Sequence, residues 1–569
     1  MRVSSLAVFL LTFCCINAVQ ATVDKILCNN ADKLLINAQF ITMDPNKPDA
    51  NALAITQERI VGVGDKNELL TVCRGTNTQV INLNGDTVTP GFIDTYSHFL
   101  LFGWLSENAL DLSSTNALHK KDWKAVKNIN EFLTSIKENL GKKEQDWMVV
   151  FGYDPSRIKG KHLTIEDLNA ITNQEPLLII YNSPQIVQLN TAGIEKIRQM
   201  IPSLEIPDNG VLHGQNLNQL FSQLIDHETA KNAIQKSASF YSQQGYTTIT
   251  ESQGLNQWLP LYNSFTSNGN FPLDVIFNSD SINTKKRMEL IYQDNPRLFS
   301  GPVILSLDNS LQGYSALLTA NYYQPHPEKG NSWRGSLNQS PQQIDETLNI
   351  AAKQKISLGI ESQGDAATDY ALNRIQSIQM KDDKSFKPIF INSAYVRADQ
   401  MARMQKLSIK VNWFTPQLYY WGESLCHEVL GPQRANQLLP LASAKNTFNH
   451  LSFHANSPSS PPIPLDIMKQ ATERNVQSWN YPYNTHCPES LGAIEKISTM
   501  DALNAFTLGA AELYGLQKEK GSLEVGKLAD MTILSSNPLD SLENSQVKGT
   551  IIRGQLRWNN PELTQPLTR

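Results

Sequence analysis

His98, Glu361 and His454 are the side chains in this 569-residue sequence whose types and surroundings best suit metal binding or proton transfer. His98 lies in "PGFIDTYSHFL", Glu361 ends "ISLGIES", and His454 falls within "NHLSFHAN". In the last stretch, period-two alternation places His450, Ser452, His454 and Asn456 on one strand face, opposite Leu451, Phe453 and Ala455. If that face points inward, two imidazoles and a carboxylate could hold a metal ion with an open coordination position. The alternative is that interior histidines only hydrogen-bond to their neighbours. Without a metal, Glu361 at a covered strand end would have a raised pKa and could serve as general acid or base beside His98. A structural hydrogen bond or ion pair is the competing role. "LQGYS", Leu311 to Ser315, resembles a nucleophile elbow only superficially. Trp413, Tyr419, Tyr420 and Trp421, with Phe414, crowd "NWFTPQLYYWG" and could line an apolar or sugar-like ligand pocket, or else pack as a lid.

The elements that would position these groups read as alternating strands and helices. From Lys33 to Asp86, short alternating runs punctuated by Gly and Asn suit half-buried β-structure, and the same texture returns in "KLADMTILSS" and "VKGTIIRGQLRW". Both chain ends are therefore expected to build one small β-domain, residues 22–90 with 520–569. Between them, residues 91–519 alternate apolar strands with amphipathic helices, the pattern of parallel βα units. The clearest helix start is Ser340-Pro341-Gln342-Gln343, a capping box with proline in the first turn. Ile344, Leu348, Ala351 and Ala352 then share a face. Residues at about 101–226 and 421–445 break the rhythm and are expected to be insertions over the strand ends.

Composition sets further bounds. Met1 and Arg2, the apolar run Leu6 to Ile16 and the small-residue ending at Ala21 read as a secretory leader, residues 1–21. The run is too short to span a bilayer, so no membrane anchor is expected after cleavage, and the destination is periplasmic or secreted. Cys28 with Cys73 and Cys426 with Cys487 are the expected disulfides, each within one domain; free buried thiols are the alternative. A net charge of −5 with scattered Lys and Arg argues against nucleic acid as a partner.

In its motifs the chain resembles the amidohydrolase superfamily, in particular the branch of N-substituted formamide deformylase. The resemblance rests on "PGFIDTYSH", "SLDNSLQGYSALL", "ISLGIESQGDAATDYAL", "FHANSPSSPPIPLDIMKQATER" and "ALNAFTLGAAELYGLQKEKGSLEVGKLADMTIL". The last is read as one helix, with Leu503, Phe506, Ala510 and Leu513 on one face. The resemblance implies an α/β fold: a TIM-like (β/α)8 barrel of the metal-dependent hydrolase type, a β-sandwich from both chain ends, and inserted lid segments. It also implies divalent metal at the barrel mouth, held by paired histidines, a lysine or acidic bridge, two further histidines and an aspartate. On this chain those positions fall on Tyr96 and His98, Ile304, Glu361, Asn392 and Asn456, with Asn480 as a second alignment for the last.

Asparagine matches aspartate in shape but cannot take a proton from metal-bound water, and Ile304 has no donor atom. One imidazole and one carboxylate are too few for zinc. The expected function is therefore a cell-envelope protein that binds a small amide- or ester-type molecule, zinc-assisted hydrolysis having been lost, with no cofactor. The alternative is a hydrolase of non-peptide carbon–nitrogen bonds through an altered, mononuclear site of zinc or another divalent metal on His98, His454 and Glu361. A third reading is a structural or partner-binding role through the insertions and the β-domain.

Overall fold

The computed structural model describes residues 28–141, 146–160, 162–326, 329–381, 385–479 and 487–561; the expected leader and Asn480 lie outside them. The N-terminal strands are β1 (Lys33–Ile41), β2 (Asp49–Thr56), β3 (Arg59–Gly64), β4 (Gln79–Asn82), β5 (Thr87–Pro90) and β6 (Phe92–Ile93). Then come β7 (Ala109–Asp111), β8 (Met148–Tyr153), β9 (Leu177–Tyr181), β10 (Ile186–Leu189) and β11 (Val211–His213). The parallel series is β12 (Tyr246–Gly254), β13 (Asp274–Ser279), β14 (Leu298–Ser306), β15 (Leu358–Glu361), β16 (Ile389–Ser393) and β17 (Lys410–Trp413), and β18 (Met531–Leu534), β19 (Val547–Ile552) and β20 (Gln555–Asn559) finish the chain.

The described residues divide into two compact units, those of 28–93, 242–247 and 506–561 in one, those of 94–241 and 248–505 in the other. In the first, one sheet runs β20-β19-β18-β5-β1-β2-β3, with β4 also on β1. The antiparallel register Met531↔Pro90 to Leu534↔Thr87 joins the chain ends. Alternation sorts the side chains of β1 and β2. Leu35, Phe40, Leu53 and Ile55 share a core with Met531 and Ile533, so the sheet curls around a common interior as a sandwich does. Leu34, Ala52 and Ala54 face the other way, toward the helix Lys66–Val72 and the Cys28–Cys73 disulfide.

The β-unit takes in residues 506–519, which were expected in the barrel, and two further boundaries differ from expectation. Residues 242–247 join the β-unit because Thr550 and Thr532 donate their hydroxyls to the carbonyls of Ser242 and Gly245, at 2.7 and 2.6 Å. The helix read across Leu503 to Leu513 is two, Thr499–Ala505 and Leu508–Leu513, broken at Thr507, whose φ and ψ of −123° and −99° are not helical. The four apolar residues are still buried.

In the second unit, β12 to β17 pair in order and in parallel. Irregular staves close the ring. Residues 94–98 bond to β12 through Asp94 N to Thr248 O (3.0 Å) and Ser252 N to Ser97 O (2.9 Å), and to residues 456–457 through Asn456 N to Tyr96 O (3.0 Å) and His98 N to Ser457 O (2.7 Å). Trp413 N to Ser452 O (2.9 Å) completes the circuit. This is the expected barrel topology. The capping box at Ser340 forms in both directions, with Ile344, Leu348, Ala351 and Ala352 buried beneath it.

The first insertion has a fold of its own, a sheet in the order β11-β10-β9-β8-β7 with a core that includes Phe132, Ile136, Val150, Leu168 and Ile179. The second is helical: Pro416–Ser424 runs into a wider turn, Leu425–Val429, and then Gly431–Ala435, and Cys426 pairs with Cys487. Trp421 Nε1 donates to Asp154 Oδ2 at 2.7 Å, tying the insertions together.

Candidate functional site

The ends of β14, β15 and β16 place Ser306, Glu361 and Asn392 side by side, because parallel register sets Ser306 opposite Glu361 and Glu361 opposite Ile391. The Ser306 hydroxyl donates to Glu361 Oε2, and Asn392 Nδ2 donates to Oε1 at 2.9 Å. Burial raises the Glu361 pKa, opposed by hydrogen bonds from Ser306, Asn392, Tyr96 and Gln185. Gln185 reaches in from the loop between β9 and β10. Asn392 takes a left-handed φ of 59°, which asparagine tolerates better than most residues. Around this cluster is a cavity of about 20 Å³, room for about one water molecule.

Tyr96 fills the centre of the ring. It is fully buried, and its aromatic ring meets those of His98 and His454 edge-on, with centroids at 5.8 and 5.4 Å. Phe414 stacks on the other side of His454, at 5.4 Å and 19°. His454 thus lies in a layer of rings, neither ring nitrogen in hydrogen-bonding geometry, and burial lowers its pKa to about 3, the Tyr96 main chain opposing weakly. His98 is pushed down to about 4, again mainly by burial. Beneath these, Asp94 accepts from Ser97 Oγ at 2.6 Å and Ala455 N at 3.3 Å, and burial raises it to about 6.

Two carboxyls at the mouth went unnoticed in the sequence. Asp308 accepts from the main-chain N–H groups of Gln363, Gly364 and Leu317 at 2.8–2.9 Å, and so fixes the loops around Glu361; burial raises it to about 7. Glu251 lies near the end of β12, accepts from Tyr262 Oη and, at 2.9 Å, from Leu100 N, and is raised to about 7 by burial. Glu251 stands at a strand end as Glu361 does, so the rule that singled out one would have found the other.

His98, Glu251, Ile304 and Ser306 open onto a second cavity of about 670 Å³, roofed by Gln185, His213, Leu217 and Phe221 of the first insertion. The insertion therefore covers the strand ends, as expected. Trp413 and Trp421 are fully buried, and Trp413, Tyr419, Tyr420 and Trp421 line neither of the two cavities at the mouth. Lid and core packing is what these four do: Tyr419 and Tyr420 meet edge-on at 4.9 Å, and Trp421 hydrogen-bonds to Asp154.

The expected trio of metal donors does not converge. Among the described residues, no three His, Cys, Asp or Glu side chains gather where an ion could be held. His454 is shielded by Tyr96 and Phe414, and both Glu361 oxygens already accept hydrogen bonds. Asn456, at a left-handed φ of 50°, borders the small cavity with a neutral amide where the resemblance implies a carboxylate. The donor set does not fit the divalent metal of the resembling enzymes.

A barrel closed in this way, with a β-unit built from both chain ends, defines the metal-dependent hydrolase fold. The chain belongs to the Amidohydrolase family, whose profile matches residues 79–557. It is similar to Protein LONG AFTER FAR-RED 3 of Arabidopsis thaliana, 25% identical with 92% of this chain and 91% of that protein covered. It is also similar to N-substituted formamide deformylase of Arthrobacter pascens, 21% identical with 93% and 98% covered. Among solved structures, an uncharacterized metal-dependent hydrolase from Pyrococcus horikoshii OT3 superposes with a TM-score of 0.70 at 21% identity, over 90% of this chain and 99% of that one. That likeness supports the fold.

Proposed function

We propose that this protein binds a small amide- or ester-type molecule in the cavity of about 670 Å³ and does not hydrolyse it by metal-activated water. The observation that supports this reading is the saturation of Glu361: Ser306 and Asn392 donate to the two oxygens of the carboxylate that a metal ion would need. A buried carboxylate so partnered has little to gain by leaving its donors. The volume lies within the range of sites that enclose small molecules. Export to the periplasm or beyond belongs to the same proposal, supported by the leader-like opening and the two disulfides.

A panel of amides and esters, screened by ligand-observed NMR and followed by mass spectrometry, tests this. Retention of an unaltered compound is expected, weakened in Gln339→Trp, which would crowd the cavity rim. Steady product release would contradict it and favour the second reading, hydrolysis of a carbon–nitrogen bond. That reading draws on the name of the Arthrobacter relative and on Glu251, held near neutrality beside His98.

A further inference from the structure

We infer that the larger cavity selects a small organic cation, a molecule bearing an ammonium or guanidinium group. The inference rests on the reading that this cavity binds a small molecule, and adds the charge that the molecule carries. The lining has carboxyl groups but, among the described residues, no lysine or arginine. Glu251 is 5% exposed and anchored through one oxygen only, Oε2, by Tyr262 and Leu100 N; Oε1 has no partner among the described residues. Asp280, just beyond β13, borders the same cavity, and its Oδ1 is buried without a hydrogen-bond partner. An unsatisfied buried acceptor is costly, and a charged donor relieves it best.

Above about pH 7, where Glu251 gives up its proton, the remaining groups do not cancel the negative charge. His98 and His213 also face the cavity, and burial pushes both imidazoles toward their neutral forms. Trp258 contributes to the wall, and an aromatic face adds attraction for a cation that reaches it. Leu217 and Phe221 would cover the apolar remainder of a ligand. An anionic molecule would meet two carboxyls with no compensating charge, and a neutral donor would give Asp280 Oδ1 only an uncharged, weaker hydrogen bond.

The test is calorimetric titration of the full chain at pH 8, where Glu251 is ionised, with three probes of one size: 2-phenylethylammonium, 2-phenylethanol and phenylacetate. The ammonium is expected to bind at least about tenfold more tightly than the alcohol, with no detectable binding of phenylacetate. Glu251→Gln keeps an acceptor for Tyr262 and Leu100 N, and Asp280→Asn keeps the side-chain shape. Each is expected to weaken the ammonium by about tenfold and leave the alcohol unchanged. Equal binding of ammonium and alcohol, or a preference for phenylacetate, would overturn the charge assignment while leaving small-molecule binding intact. Binding of none of the three would overturn both.

Discussion

Two carboxyls, one barrel mouth and opposite fates: Glu361 is closed in by the protein, while Glu251 keeps one oxygen toward open space. Ser306, Asn392 and Tyr96 surround Glu361, in a cavity of about 20 Å³. Glu251 is held on one side only, and the space beside it is about 670 Å³. Both are pushed toward the protonated form by burial, so the shift alone does not separate them. What separates them is where the remaining hydrogen bonds go. Of the two carboxyls, only Glu251 keeps an acceptor oxygen left unspent among the described residues.

The contrast breaks most forcibly at Tyr96. Tyr96→Ala should cost about 3–5 kcal/mol in urea unfolding, because it opens a void among His98, His454 and Glu361. A cost below about 1 kcal/mol would mean that the ring is not the plug described. Next is Glu251→Gln. The folded chain holds the Glu251 proton up to about pH 7, whereas an unfolded chain releases it near its ordinary value of 4.5. Between those values the folded state binds more protons, so this group's contribution to stability is lost as pH rises. Relative to the parent, Glu251→Gln should therefore gain up to about 3 kcal/mol between pH 4 and pH 8. An unchanged difference across that range would place Glu251 in water. A smaller effect is expected at Ser306→Ala, about 1–2 kcal/mol from one lost donor to Glu361. A variant that folds as stably as the parent would show that the carboxylate is not held as argued.

The sequence disclosed what is local. Ser340 and Gln343 lie within one helical turn and cap the helix as read, and the cysteine pairs close within their own units. The barrel and β-unit followed from periodicity and from the resemblance. What stayed hidden depended on distant parts of the chain. The insertion at 101–226 was legible as a break in rhythm, yet its own sheet was not, because β7 and β11 are short and polar residues interrupt the runs between them. Alternation read residues 450–456 as one strand, but only Phe453 makes a bridge, and alternation cannot tell that Tyr96 and Phe414 would sandwich His454. The aromatic run from Trp413 to Trp421 suggested a pocket by composition alone, and burial turned it into packing. Gln185 reaches Glu361 from a separate sheet, and no local signal marks it.

The most direct measurement is metal content by mass spectrometry of protein purified without chelator, beside His98→Ala. Far less than one equivalent of any transition metal is expected, with no difference between the two proteins. One tightly held equivalent in the parent, absent from His98→Ala, would contradict it.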